Sequence, residues 1–305
     1  EPCSLGKIII PYIKFYSRLT FCAKMTIFCD TSDLNSVLNR CPKTHNPKRS
    51  SRNSRYYDIN EFKKMLNKTL LYHQGLKISN IAALSERQLN QKINEIAKQD
   101  ILKASFMKFI SSIIEINIDE FEKLLAEAIN SYGLEKIYEE ILIPILEKIG
   151  LFWQSETICP GEEHIFVNII REAIIKNEKQ DIKRKKPLLF LLFLCENELH
   201  EVSLLLARYI IQKCGHKVIY LGQATPIQDI ILLTRKLPNI NYLLTSFVAP
   251  IDSKTLNEII EALLSTQKPI MIIGRQVKNI SFPKRRNLNI FTDIGEFKKF
   301  IYELA

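Results

Sequence analysis

No two of the seven cysteines (Cys3, Cys22, Cys29, Cys41, Cys159, Cys195 and Cys214) form a CxxC pair. Their odd number and scattered spacing speak against a zinc site or a disulfide scaffold and fit the reduced thiols of a cytoplasmic protein. No uncharged run reaches the roughly 18 residues of a membrane span. Residues 8–29 are apolar, but Lys14, Arg18 and Lys24 interrupt them. The same stretch lacks the small-residue cleavage site of a signal peptide. No GxGxxG follows the first candidate strand, which disfavours a dinucleotide. No nucleophile–base–acid set is legible, so an enzyme is not expected. Tryptophan occurs once, at Trp153. The chain opens without Met, and Met25 is a candidate start.

The charge that is present is uneven. The net formal charge is +10, yet residues 1–100 hold 17 Lys/Arg against 8 Asp/Glu, and residues 101–200 hold 12 against 17. A basic N-terminal third points to a polyanionic partner, most often nucleic acid; a solvated basic surface is the plainer alternative. Residues 41–55 are polar, basic and rich in breakers, and read as a loop. Helical spacing then starts with Phe62, Met65, Leu66 and Leu70. It resumes after Gly75 with Ile78, Ile81, Ala82 and Leu84, and again after Ser85, an N-cap candidate.

From about residue 100 the apolar period is helical for some 80 residues. One helix covers 101–115. Asn117 and Glu120 look like a capping pair for the next, which Gly133 ends. A third stripe runs from Leu134 to Ile149 and stops at Gly150. A fourth begins at Pro160, a residue suited to a helix's first turn. Four helices with short loops predict a bundle over 99–180. Beyond a charged linker the rhythm changes to strand–helix alternation. Candidate strands lie at 187–194, 217–221, 241–247, 269–273 and 288–291, with a last helix at 293–304. Strands that are apolar throughout are buried on both faces. The expectation for 186–305 is therefore a flavodoxin-like, doubly wound, five-stranded parallel sheet, giving a chain that is α/β plus all-α.

In such a sheet ligands bind beyond the carboxyl ends of the strands. His200 falls just past the first strand, with Glu198 two residues earlier. A carboxylate there can hold one ring nitrogen and leave the other to a metal. Taken alone, a histidine at a helix start beside an unrelated glutamate is the commoner situation. Gly222, Ser246 and Gly274 fall at the ends of later strands, as small or hydroxyl residues that make room for a bulky ligand; ordinary turn chemistry gives the same residues.

The series Glu198-x-His200-x-x-Ser203, Leu221-Gly222-x-x-x-Pro226, Ser246, Gly274 resembles the cobalamin-binding Rossmann-like domain. The resemblance implies that His200 is the lower axial ligand to cobalt and Glu198 its orienter, and that Ser246 and Gly274 touch the nucleotide tail. Ser203 departs from the family's glycine, and Arg275 from a second glycine; both narrow the tail slot. Trp153, nine residues, then Glu163-His164 resembles the motif of photoreceptor-type cobalamin regulators. There the tryptophan covers the upper corrin face and the Glu-His pair meets the upper adenosyl group. The alternative places Trp153 in the bundle core and His164 on the surface of a first helical turn. Gln154 stands where light-sensing members can carry a second cobalt-trapping histidine. Arg55-Tyr56-Tyr57-Asp58 through Leu84 resembles the second half of a MerR-type winged helix, with a helix-turn-helix expected at 20–45 but no Arg-x-Trp-Glu-like stretch to end it.

The resemblance to MerR-type cobalamin-binding regulators divides the chain into a divergent segment (1–47), a winged-helix remnant (48–98), the bundle cap (99–180) and the cobalamin-binding sheet domain (186–305). It implies a light- or ligand-responsive transcriptional regulator that binds adenosylcobalamin first and methylcobalamin second and assembles as a homo-oligomer. Lys48, Arg49, Arg52, Arg55 and Tyr56 are its candidate DNA contacts. The alternatives are a corrinoid methyl carrier for a methyltransferase and an interaction protein that has lost both ligands.

Overall fold

The computed structural model describes residues 48–49, 55–56, 64, 67–68, 71–72, 75–99, 101–154, 159–178, 184–274, 276–277 and 286–304. The expected helix-turn-helix at 20–45, Arg52 and Arg275 lie outside these residues. Contacts divide the chain into two compact units between Phe166 and Val167.

In the first unit, β1 (Lys48–Arg49) and β2 (Arg55–Tyr56) pair antiparallel, with Lys48 opposite Tyr56 and Arg49 opposite Arg55. The 41–55 stretch read as loop therefore contains one arm of a small hairpin and the first residue of the other. Helices α1 (Ile78–Ala82) and α2 (Glu86–Gln99) follow. Ser85 caps α2 reciprocally: its Oγ accepts from Gln88 N–H at 3.4 Å and its own N–H reaches Gln88 Oε1 at 2.9 Å.

The bundle begins with α3 (Ile101–Glu115) and α4 (Ile118–Tyr132), where Asn117 Oδ1 accepts from Glu120 N–H at 3.2 Å. Gly133, at φ +82°, separates α4 from α5 (Leu134–Ile137). Two features differ from expectation. A π-helical turn, Tyr138–Leu142, follows α5, and α6 (Ile143–Gln154) runs through Gly150 instead of stopping there. A mid-helix glycine costs about 1 kcal/mol; the buried Ile145 and Ile149 on the same helix outweigh that. Helix α7 (Pro160–Lys176) closes the series. Phe109, Phe121 and Phe166 are fully buried, with successive ring centroids 5.1 and 5.0 Å apart. No helix among the described residues is long and apolar enough to cross a membrane.

The second unit holds the parallel sheet: β3 (Leu189–Cys195), β4 (Lys217–Thr225), β5 (Tyr242–Ser246), β6 (Ile270–Ile273) and β7 (Leu288–Phe291), in spatial order β4-β3-β5-β6-β7. The connections and flank are α8 (Val202–Lys213), α9 (Ile227–Lys236), α10 (Ser253–Leu264) and α11 (Ile294–Leu304). This is the flavodoxin-like order, and its direction reverses between β3 and β5. Strand β4 extends beyond the expected 217–221. It sits at the sheet edge, and its register against β3 slips twice, between Leu192 and Phe193 and between Phe193 and Cys195. An edge strand with one neighbour accommodates such bulges.

At the opposite end of the sheet His216 is almost completely buried. Its Nδ1 accepts from Leu188 N–H at 3.1 Å, and Arg184 Nη1 lies 3.1 Å from Nε2. Burial first, and the Arg184 charge second, hold the ring's pKa below its usual value. With Nδ1 accepting, the neutral ring carries its hydrogen on Nε2, and protonation would add a second ring N–H at Nδ1 facing Leu188 N–H, with a positive charge beside Arg184. The folded state thus binds this proton less readily than the unfolded chain, so the stability His216 contributes is present above the unfolded pKa of about 6.5 and lost as pH falls below it. Thermal unfolding from pH 7.5 to 5 is expected to show a loss of Tm that a His216→Gln variant lacks. Parallel profiles for the two proteins would refute this.

Candidate functional site at the switch point

The loop after β3 is built by local hydrogen bonds. Glu198 N–H returns to Cys195 O at 3.1 Å across a turn in which Asn197 takes φ +69°, a left-handed conformation that asparagine tolerates. Glu201 N–H closes on Leu199 O at 3.0 Å, and Leu205 N–H on Glu201 O at 2.9 Å starts α8. His200 lies between these two closures. The bulged end of β4 is laced to the same loop: Gln223 Nε2 donates to Leu199 O at 2.6 Å, and Ala224 N–H to Glu198 O at 3.4 Å. Gly222 makes this bend at φ +84°, which needs a residue without Cβ strain.

Glu198 is the centre of the arrangement. Its side chain is 4% exposed, whereas that of His200 is 54% exposed. Oε1 accepts from His200 N–H at 2.9 Å and lies 2.6 Å from His200 Nδ1. Oε2 accepts from the N–H groups of Val248 and Ala249, at 2.8 and 2.9 Å. One carboxylate therefore joins the loops after β3 and β5, the two strands that flank the switch point. Burial alone would raise its pKa. The hydrogen bonds from the His200 ring and from the His200, Ala249 and Val248 N–H groups more than offset that and hold it at about 2. With Nδ1–H directed at a carboxylate, the neutral ring carries its lone pair on Nε2, the tautomer a metal requires.

The other residues expected at the site fall around this pair as follows. Ser203, on the first turn of α8, and Ser246, at the end of β5, join hydroxyl to hydroxyl at 2.8 Å. Gly274 follows β6 with φ +152°, and a Cβ there would stand 2.1 Å from Phe247 O. Leu199 and Val248 are exposed apolar side chains on the two loops; nothing in their sequence context singled them out. Cys195, beneath the loop, is not a nucleophile at neutral pH, because burial pushes its thiol up to about 11. Among the described residues no three His, Cys, Asp or Glu side chains gather for a bare ion. A metal carried in its own macrocycle needs only one axial donor from the protein, and the switch point offers one imidazole with a built support and apolar neighbours. The residues present fit such a group.

In the first unit Trp153 belongs to α6, and its side chain lies outside the described residues. Glu163 is half-buried and His164 exposed on the first turn of α7, where Glu162 Oε2 supplies the cap by accepting from Cys159 N–H at 2.8 Å.

Residues 106–176 match the family model for a B12 binding domain. The chain is 28% identical over 96 residues to the HTH-type transcriptional repressor CarH of Myxococcus xanthus, an overlap of 31% of each protein. The chain thus spans about a third of that curated relative. These two matches support a cobalamin-binding domain. The monomethylamine corrinoid protein of Methanosarcina barkeri superposes with a TM-score of 0.53 at 16% identity, over 67% of this chain and 99% of its own. That likeness shows the fold: a parallel sheet with flanking helices, shared with a corrinoid protein. The methanol:cobalamin methyltransferase complex MtaBC of the same organism aligns at a TM-score of 0.34 and 15% identity, over 77% of this chain and 91% of its own, too loosely to bear on the argument.

Proposed function

We propose that the chain is a cobalamin-responsive transcriptional regulator in which His200 is the lower axial ligand to cobalt. The observation that carries the ligand assignment is the contact between buried Glu198 and half-exposed His200 at the sheet's switch point, 2.6 Å from Oε1 to Nδ1. Adenosylcobalamin is the first candidate and methylcobalamin the second. The bound group supplies a cobalt–carbon bond that light or substitution can break. The protein's part is to present Nε2, to keep Nδ1–H on Glu198, and to offer Leu199 and Val248 as apolar surface. Trp153, Glu163 and His164 belong to the same proposal through the resemblance of their motif. The regulator reading draws on the likeness to CarH and on the basic hairpin, in which Lys48, Arg49, Arg55 and Tyr56 are proposed to meet DNA phosphates. Ligand can shift a homo-oligomer only if the two assemblies hold it with different affinity.

The full chain, incubated in the dark with adenosylcobalamin, is expected to keep the red colour through gel filtration. His200→Ala should change the visible spectrum and weaken retention; an identical spectrum in that variant removes His200 as the ligand. Green illumination should then alter the elution volume and a salt-dependent DNA shift together. The corrinoid-protein fold makes a methyl carrier the second reading. Transfer of the methyl group from bound methylcobalamin to an acceptor, with no DNA shift under any condition, would favour it.

A further inference from the structure

Glu201 follows His200 and occupies the N-cap position of α8, where the shorter Ser, Thr, Asp and Asn are the usual side-chain caps. It makes no side-chain cap bond. Its carboxylate turns inward instead, with a side chain only 6% exposed. Oε1 pairs with Arg171 Nη2, from the last third of α7, and Oε2 accepts from Tyr220 O–H at 2.9 Å. The Tyr220 ring is covered in turn by the Arg208 guanidinium, 4.7 Å from its centroid, and Arg208 Nε is held by Glu178 Oε1 at 2.5 Å. Burial first, and the Glu201 contact second, push the Tyr220 hydroxyl upward, so it stays a donor at any neutral pH. Helix α7 and the edge strand β4 meet at the Glu201 carboxylate, and the linker's Glu178 joins them at one remove, through Arg208 and the Tyr220 ring.

A buried carboxylate with two partners cannot swing out without leaving a guanidinium and a phenol behind, so the backbone at 201 is pinned. His200 is thereby fixed from both sides: Glu198 takes its N–H and ring, and Glu201 anchors the next residue. We infer that Glu201, with Arg171 and Tyr220, is a positioning cluster that holds the backbone under His200, so that its imidazole would be kept in place to hold cobalt, without itself touching the ligand. This rests on His200 being the axial ligand.

The test uses the full chain loaded with cob(II)alamin. With the protein's histidines labelled with 15N, electron paramagnetic resonance reads the axial ligand directly, because a coordinated 15N-imidazole splits each cobalt line into two whereas the cofactor's own 14N base splits it into three. In Glu201→Gln and Arg171→Gln the ratio of histidine-on to histidine-off signal is expected to fall by about tenfold, the scale of effect of groups that support a metal ligand, while corrinoid stays bound. Arg171→Lys, which keeps the charge, should recover part of the ratio. Should either Gln variant fail to fold, Tyr220→Phe removes a single hydrogen bond and should move the ratio in the same direction by less. An unchanged ratio in the folded variants overturns the inference and leaves the proposed function standing. A parent protein whose splitting is indifferent to His200→Ala overturns both.

Discussion

Glu198→Gln is expected to cost about 3 kcal/mol of folding stability at pH 7 and to weaken corrinoid binding by roughly 10–100-fold. The carboxylate faces four donors: His200 N–H and Nδ1–H on one oxygen, Val248 N–H and Ala249 N–H on the other. A carboxamide has one acceptor oxygen, so its NH2 must face two of those donors whichever way it turns. Either the histidine loses its orienter or the loop after β5 loses its tether. The pH dependence has a definite sign. Glu198 lies at about 2 in the folded protein against an ordinary 4.5. Its contribution is therefore fully present above 4.5 and lost as pH falls from there toward 2. Denaturant unfolding of parent and variant should show a gap at pH 7 that narrows through pH 4 and continues to close toward pH 3. A gap of constant size across that range would mean that the carboxylate charge is not what holds the two loops together.

The fold was legible because most of its elements announce themselves locally. β3 is apolar from end to end and buried accordingly; Ser85 and Asn117 cap the helices their spacing suggested. What escaped sequence reading depends on partners far along the chain. Glu198 gains its second pair of donors from residues 50 and 51 positions later, and Tyr220 reaches Glu201 across 19. No local pattern separates Glu201 from any acidic residue at a helix start. The π-helical turn at Tyr138–Leu142 and the passage of α6 through Gly150 are tertiary choices, in which packing of the buried Ile141, Leu142 and Ile145 overrides the local preference to stop. The Glu-x-His pair was visible because its two members are neighbours, and its geometry follows from a turn of a few residues.

Gly274→Ala is expected to destabilise the α/β unit by at least about 3 kcal/mol, and to do so without any ligand present. The sequence context offers a ligand-contact role for this glycine, but its backbone has a reason of its own. A Cβ at 274 would stand 2.1 Å from the carbonyl oxygen of Phe247, 3.0 Å from its carbon and 3.3 Å from its nitrogen, at φ +152°. All three atoms are backbone, so no side-chain rotation relieves the contact. Phe247 N–H is bonded to Ile273 O at 2.9 Å and Gly274 N–H to Phe291 O at 3.0 Å. Making room for a methyl group therefore means breaking the ladder between β5 and β6, or between β6 and β7, at the end that faces the site. The loop carrying Val248 and Ala249 starts there, so Glu198 and through it His200 should feel the change. Urea unfolding of the ligand-free protein separates the two roles of this glycine. A Gly274→Ala chain that unfolds at the parent's midpoint yet no longer retains corrinoid would assign the residue to the ligand. A lowered midpoint in the absence of corrinoid assigns it to the close approach of the strands, with any loss of binding a consequence.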